Sequence, residues 1–202
     1  ASSPDGLGLR IDVLDGRPVS AGIASATELV LLPWQAGGAD YAPFEEWLAS
    51  DAPKLMHDAK PQVKALARAG IAFDGLAFDT QIGAWLLAPG GKEATLADLT
   101  RKLLDEDLPT SDPNQLVPDD DAPSAATEAW YTGRIVDHLR TALDPGSLGV
   151  LRDIEMPTLL VIAAMELRGV TVDHASLADL SAGLGSRAAD LAASAFAEIG
   201  RE

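Results

Sequence analysis

The stretch that decides the fold is KLMHDAKPQVKALARAGIAFDGLAFDTQIGAWLLAP, residues 54–89 of a chain of 202 residues. Its apolar residues occur partly in short runs and partly at helical spacing, which predicts alternating strands and helices. We expect strand, helix, strand and helix over residues 54–56, 59–69, 71–76 and 81–87. Gly70 is the expected stop of the first helix, and Asp79 is the expected N-cap of the second, which ends before Pro89.

Three strands are predicted upstream of this stretch. Residues 7–14 alternate apolar with other side chains, residues 15–16 form an Asp-Gly turn, and residues 19–26 and 29–32 continue the extended pattern. A helix follows over residues 41–50. The order β-β-β-α-β-α-β-α predicts an α/β (α+β) layer in which helices flank a mixed sheet.

Two helices are predicted after residue 89 in the first domain. Thr95 begins a helix that runs to about residue 104, with Asp98 placed as in a capping box. Residues 125–143 form a longer helix, which the Asp-Pro-Gly sequence at residues 144–146 breaks. This break predicts a first domain at residues 1–146.

The carboxyl-terminal segment, residues 147–202, changes character. A helix over residues 148–168 stops at Gly169, although Pro157 leaves open that a new helix begins there. Residues 170–172 are extended, and Asp173 caps a last helix toward residue 200. A helical hairpin of this kind is predicted to leave apolar faces exposed.

The charge of the chain argues against an autonomous nucleic-acid-binding protein. The formal net charge is −16, which is the wrong sign for a surface that displaces counterions from phosphates. Seven carboxylates and no Lys or Arg fall between Asp105 and Asp121, with four prolines interleaved up to residue 123. We expect residues 105–123 to be a solvated, mobile acidic loop.

Several kinds of site are disfavoured by composition. The chain has no cysteine, which excludes thiolate zinc sites and fits a reducing cytosol. The three histidines, His57, His138 and His174, show no paired ligand spacing. No apolar run reaches the roughly 18 residues of a membrane span, so no membrane partner is expected. Trp47 and Trp85 lie in apolar helical stripes and are predicted to be core residues.

Two segments carry a resemblance to a known family. The first is His57-Asp58-Ala59-Lys60 with Phe78-Asp79-Thr80 about twenty residues later, and the second is EMPTLLVIAAMELRGVTVD at residues 155–173. They resemble, in this order, the 3′-to-5′ exonuclease domain of bacterial DNA polymerase I (family A) and the start of its polymerase domain. The resemblance implies a ribonuclease H-like fold, followed by the first helices of the polymerase thumb.

A working exonuclease of this family holds two metal ions with four carboxylates. The resemblance places the first motif at Arg10 and Asp12, and the second at Asp58 and Gln62, or one residue earlier at His57 and Pro61. It places the third near Gly133 or Arg134, with Asp137 about one turn further on. The former site is therefore expected to be degenerate and to hold no metal, its residues being Arg10, Asp12, Asp58, Gln62, Gly133, Arg134 and Asp137.

Structural roles are the competing interpretation of these carboxylates. Asp12 on a strand is expected to face solvent, Asp79 to cap a helix, and Asp58 to cap the helix that begins at Ala59. In this interpretation none of them is a ligand.

The resemblance implies a fragment of a DNA-directed DNA polymerase of replication and repair that lacks proofreading. The fragment itself is expected to be no enzyme, to need no cofactor, and to bind DNA weakly or not at all, whereas the parent uses magnesium in its polymerase domain and binds DNA. Its expected partner is the remainder of its own chain, and its expected location is cytoplasmic, at the nucleoid. Two alternatives are an active metal-dependent 3′-to-5′ exonuclease and an acidic protein-interaction module.

Overall fold

The computed structural model describes residues 6–34, 38–109 and 124–200. The chain divides into two compact units, Ala1–Leu167 and Arg168–Glu202. Most of the predicted acidic loop, residues 110–123, lies outside the described residues. No helix in the described ranges is both long and apolar enough to cross a membrane.

The first unit is built on one mixed sheet of five strands in the order β3-β2-β1-β4-β5. β1, β2 and β3 are antiparallel to one another, whereas β4 and β5 run parallel to β1. The predicted mixed sheet flanked by helices is confirmed. The strands are β1 Leu7–Leu14, β2 Arg17–Ala24, β3 Leu29–Leu32, β4 Lys54–Met56 and β5 Leu76–Asp79.

The hairpin between β1 and β2 follows from its two turn residues. Asp15 has φ 51° and Gly16 has φ 74°, so both have the left-handed backbone of a tight hairpin turn. The turn pairs Leu14 with Arg17 and Val13 with Pro18, and an irregularity between Asp12 and Val13 then shifts the register by one residue, so that Asp12 pairs with Ser20 and Arg10 with Gly22. The second strand therefore begins at Arg17, two residues earlier than predicted.

The described ranges contain eight α-helices, and most of the predicted helices are observed within two residues of their expected ends. Two π-helical segments, Thr100–Leu104 and Leu151–Glu155, follow α4 and α6. The helices are α1 Ala42–Ala49, α2 Ala59–Arg68, α3 Thr80–Leu87, α4 Leu96–Leu99, α5 Ala125–Ala142, α6 Pro145–Val150, α7 Met156–Arg168 and α8 His174–Ile199. α8 belongs to the second unit.

α5 lies unusually close to β1 and β2. A Cβ atom on Gly8 would lie 2.0 Å from the carbonyl oxygen of Ala129, and one on Gly22 would lie 2.0 Å from the carbonyl carbon of Ala125. Only glycine allows this approach. Because side chains alternate along a strand, Arg10 lies on the same face of β1 as Gly8, under α5, while the residues between point to the opposite, buried face.

Other expectations about the fold also differ from the structure. The strand predicted over residues 71–76 begins only at Leu76, because Gly75 has φ 73° and turns the chain into β5. Residues 144–146 break the long helix as predicted, but the next helix begins at Pro145 and not at residue 148, because the Asp144 carboxylate caps α6 directly. Trp85 is 51% exposed and not a core residue.

The helical segment after α5 is continuous from Pro145 to Arg168 through the π-helical turn. Pro157 is the second residue of α7 and follows the π-helical segment Leu151–Glu155. A proline, which has no N–H to donate, is tolerated in the first turn of a helix. Leu151, Met156 and Leu159 are buried in the core of the first unit. That unit thus extends past residue 146, and the assignment of residues 147–202 to a polymerase domain stays a prediction.

Candidate functional site

Arg10 and Asp12 project from β1 beneath the first turn of α5. The Nε atom of Arg10 lies 3.4 Å from Oδ1 of Asp12 and 3.3 Å from Oε2 of Glu128. The Ser20 hydroxyl donates a hydrogen bond to the other oxygen of Asp12. A guanidinium group therefore sits between two carboxylates, one on the sheet and one on the helix. The sequence predicts that Asp12 faces solvent. Its carboxylate instead contacts Arg10 and Ser20 within this cluster.

Glu128 was not singled out from the sequence. It lies in the first turn of α5, four residues after the N-cap Ser124. An acidic residue at this position normally interacts favourably with the helix dipole. Burial raises its pKa, and the charge of Arg10 opposes that rise. Glu128 could be recognised only from the packing of α5 on the sheet. The glycines under Ala125 and Ala129 bring this turn of α5 close to β1.

The residues predicted for the third motif lie elsewhere on α5. Gly133, Arg134 and Asp137 line a separate cavity of about 300 Å³. Asp137 is nine residues beyond Glu128, or about 13 Å along a helix. Arg134 forms a two-pronged ion pair with Glu106, at 2.6 and 2.7 Å, and its guanidinium carbon lies 4.7 Å from the centre of the Trp130 ring. The structure does not bring these residues to Arg10 and Asp12.

Gln62 is buried, and its amide joins β1 to the start of α2. Its Oε1 accepts a hydrogen bond from the Ile11 backbone N–H at 2.8 Å. Its Nε2 donates to the carbonyl oxygens of His57 at 2.7 Å and Asp58 at 3.0 Å. β4 pairs with β1 only at Leu7 and Gly8. Gln62 therefore accepts the hydrogen bond of the Ile11 N–H, which lies beyond the end of that pairing.

Asp79 caps two helices with one carboxylate. Oδ1 accepts hydrogen bonds from the N–H groups of Gln81 and Ile82, which confirms the predicted N-cap of α3. Oδ2 accepts one from the Ala59 N–H at 2.7 Å, at the start of α2. Burial raises the pKa of Asp79, and these N–H groups oppose the rise.

The predicted cap of α2 by Asp58 is wrong. Asp58 has φ 46° and its side chain makes no capping hydrogen bond, because the Asp79 carboxylate already takes the Ala59 N–H. The Asp58 side chain instead lines a cavity of about 370 Å³ together with Glu93 and Glu155. Burial raises its pKa, the charge of Arg10 lowers it, and Glu93 raises it further.

His57 is buried next to this cluster. Its Nδ1 lies 2.8 Å from the Thr80 hydroxyl oxygen. Burial, and secondarily the positive charge of Arg10, lower the pKa of His57 to about 4. The ring is therefore neutral at pH 7 and adds no second cation to the site.

The residues around Arg10 do not fit a pair of divalent metal ions. Such ions need several oxygen ligands free of other cations. Asp12 and Glu128 are both ion-paired to Arg10, and the Gln62 amide forms backbone hydrogen bonds through its oxygen and its nitrogen. In the ranges that the structure describes, no group of three or more His, Asp or Glu residues is arranged to hold a metal ion.

Comparison with known proteins gives the family. The family described as "DNA polymerase I, ribonuclease H-like domain" matches residues 16–112. DNA polymerase I of Mycobacterium tuberculosis is 34% identical over 174 residues, covering 81% of this chain and 19% of that protein. The chain thus spans about a fifth of the length of that curated relative.

Solved structures show the same fold. The POL domain of Pol1 from M. smegmatis, in complex with DNA primer-template and dNTP, has a TM-score of 0.85 at 25% identity, covering 100% of this chain and 35% of that one. NrnC from Brucella melitensis, with bound Mg²⁺, has a TM-score of 0.67 at 17% identity, covering 86% and 92%. With this fold and these matches, the chain belongs to the ribonuclease H-like, 3′-to-5′ exonuclease-like domain family of DNA polymerase I.

Proposed function

We propose that this domain is a catalytically inactive exonuclease-like domain with a structural role in a DNA polymerase I that lacks proofreading. The observation that carries the proposal is the Arg10 guanidinium, 3.4 Å and 3.3 Å from the carboxylates of Asp12 and Glu128. Hydrolysis of a phosphodiester in this fold uses metal ions to generate hydroxide and to neutralise charge on the phosphate. A fixed cation that uses both carboxylates removes their capacity to hold such ions.

The charge of Arg10 also disfavours a metal ion, because it repels any cation bound nearby. A divalent cation placed near Asp12 would lie a few ångströms from the guanidinium. Two like unit charges 4 Å apart repel by about 4 kcal/mol at a protein surface, and the double charge of the metal ion doubles that repulsion. The neutral amide of Gln62 adds no charge to offset this repulsion. Arg10 itself cannot be deprotonated to release the site, because guanidinium groups stay charged in proteins.

The proposed structural role rests on the apolar surface of the chain. Ile154, Val161 and Met165 on the helical segment that ends the first unit are between 56% and 65% exposed. In the second unit α8 also exposes a series of apolar side chains, which are Leu177, Leu180, Leu184, Leu191, Phe196 and Ile199. We propose that the remainder of the polymerase chain covers these faces, and that magnesium serves the polymerase activity of that longer protein.

The test is degradation of a 5′-labelled single-stranded oligonucleotide by the 202-residue chain, with magnesium and then manganese. We expect no trimming from the 3′ end. Asp12→Asn and Glu128→Gln variants are the controls, because trimming that persists unchanged in both comes from a contaminating nuclease. Metal-dependent trimming by the wild-type chain that both substitutions abolish would overturn the proposal and make the domain an active exonuclease.

DNA binding is tested separately. With a net charge of −16, the isolated chain is proposed to bind DNA weakly or not at all. Fluorescence anisotropy of a labelled oligonucleotide at low salt measures this directly, and micromolar binding that weakens steeply with added salt would contradict it.

A further inference from the structure

A cavity of about 320 Å³ lies outside the cluster around Arg10. It is lined by α3, by residues 91–102 and by Glu155. Its walls are largely apolar, and α3 contributes Trp85, which is half exposed. A concave, mostly apolar site of this volume with a few polar groups is typical of a ligand-binding pocket. The cavity is therefore a candidate site that the exonuclease-like motifs do not involve.

Unpaired charged side chains of both signs line this cavity. In the part of the chain that the structure describes, they form no side-chain hydrogen bond or ion pair. They are Lys92, Glu93, Lys102 and Glu155. Asp98 also lines the cavity, but its carboxylate is bonded to Thr95 in the capping box of α4. The unpaired side chains are therefore available to the charged groups of a partner.

The charges are ordered along the cavity. Glu93 and Glu155 also line an adjoining cavity of about 370 Å³. Lys92 and Lys102, in contrast, line the first cavity only. Because the two cavities share lining residues, they form one groove, which we call the Trp85 groove. Its junction is acidic, and one of its ends is apolar and basic.

The adjoining cavity extends the acidic part of the groove. Asp58 lines it, and its single lysine within the described residues, Lys60, already forms an ion pair with Glu166 at 2.8 Å. Carboxylates on such a wall repel the phosphates of a nucleic acid and attract a basic side chain. The groove therefore favours a ligand with charges of both signs over a polyanion.

Two of the unpaired side chains lie on π-helical segments. Lys102 belongs to Thr100–Leu104, and Glu155 is the last residue of Leu151–Glu155. π-helical turns are rare and occur frequently at functional sites. Two of them, from distant parts of the chain, border the same cavity, which supports a binding role independently of its charges.

We propose that the Trp85 groove binds an extended peptide segment of a partner protein, with a basic, an apolar and an acidic side chain. The basic side chain of the segment lies at Glu93 and Glu155. The acidic one lies at Lys92 and Lys102. The apolar or aromatic side chain packs on Trp85, since exposed tryptophans are frequent anchors of protein interfaces. Opposite charges at two places along the groove fix the direction of the segment.

The experiment begins with selection of random heptapeptides, displayed on phage, against the immobilised 202-residue chain. A parallel selection on the Trp85→Ala variant identifies peptides that bind elsewhere. We expect the sequences enriched by the wild-type chain alone to contain a basic, an apolar and an acidic residue in a fixed order. Their consensus peptide is synthesised with a fluorescent label, and its affinity for each variant is measured by fluorescence anisotropy.

Groove variants are compared with matched controls, after their melting temperatures have shown that they are folded. Trp85→Ala is expected to weaken binding at least about tenfold. Leu87→Ala, which removes an exposed apolar side chain from the same helix outside the groove, is expected to leave it unchanged. Glu155→Lys is expected to weaken binding about tenfold, and a peptide with Glu in place of its basic residue should restore it. Glu46→Lys, at an exposed position on α1, is the charge control.

Each result decides the proposal. It is overturned if the wild-type chain enriches no peptide beyond those that Trp85→Ala enriches, or if the reversed-charge peptide does not restore binding to Glu155→Lys. Binding of a labelled oligothymidylate that Trp85→Ala weakens would assign the groove to nucleic acid instead. If the longer polymerase binds none of the selected peptides, its own chain fills the groove and a separate partner is excluded. Peptide binding is independent of nuclease activity, which the trimming assay measures separately.

Discussion

His57 provides a prediction with a calculable magnitude. The ring is buried and its Nδ1 contacts the Thr80 hydroxyl, and the pKa of His57 is lowered to about 4 from the ordinary 6.5. A base whose pKa is lowered on folding binds its proton more weakly in the folded than in the unfolded chain. Its contribution to stability is therefore complete above pH 6.5 and is lost as the pH falls from 6.5 toward 4.

The size of this effect follows from the shift. Each pKa unit corresponds to 1.36 kcal/mol, so the full window is worth on the order of 3 kcal/mol. A His57→Asn variant has no ionisable group at this position, and its amide can still reach Thr80. We expect the free energy of unfolding of the wild-type chain, relative to His57→Asn, to fall by about 3 kcal/mol between pH 6.5 and pH 4.

The assay is urea unfolding of both proteins at several pH values across this window. The raised pKa values of Asp58, Asp79 and Glu128 favour the folded state at low pH, with the opposite sign, but both proteins share these groups and the difference cancels them to first order. His138→Asn makes the same substitution at an exposed position and is the control. Parallel curves for the wild-type chain and His57→Asn would refute the buried, neutral histidine.

Four further substitutions test the helix packing and the buried hydrogen bonds. Gly22→Ala should cost at least about 3 kcal/mol of unfolding free energy, because its Cβ would lie 2.0 Å from the backbone of α5. Gly133→Ala, whose Cβ would meet no atom within 4 Å, should instead stabilise the protein by about 0.5–1 kcal/mol. Urea unfolding measures both changes. Asp79→Ala removes the cap of two helices and should cost about 2 kcal/mol or more in the same assay, and a loss below 0.5 kcal/mol would contradict the double cap. Lys54→Met should cost about 2 kcal/mol or more, because the buried ammonium donates to two backbone carbonyls at 2.9 Å, and an unchanged urea midpoint would count against this role.

The parts of the fold that the sequence predicts well are those with local causes. β1 was predicted with its observed ends because its alternation and its Asp-Gly turn lie within ten residues of each other. The capping box of Thr95 and Asp98 is likewise local and is observed. The predicted strand at 71–76 failed because apolar composition does not show that Gly75 has a left-handed backbone.

The contacts that the sequence could not show join residues far apart in the chain. Asp58 precedes α2 directly and has the right chemistry for its cap, yet Asp79, 20 residues beyond the helix start, takes the Ala59 N–H. Trp85 fits an apolar stripe of α3, but that helix is too near the surface to bury it. In each case a local preference is satisfied or displaced by a partner that only the tertiary structure supplies.

The candidate site depends on the register of one helix. The resemblance directs attention to residues 133–137 of α5, where it places the third motif near Gly133 or Arg134 with Asp137 about one turn further on. The glycines of β1 and β2 fix a different register, in which Ala125 and Ala129 touch the sheet and Glu128 meets Arg10. A shift of five residues along a helix is about 7 Å and more than a full turn, so it replaces the whole set of side chains that face β1. Small residues that permit close helix packing are therefore a better guide to the acidic partner of this strand than the motif itself.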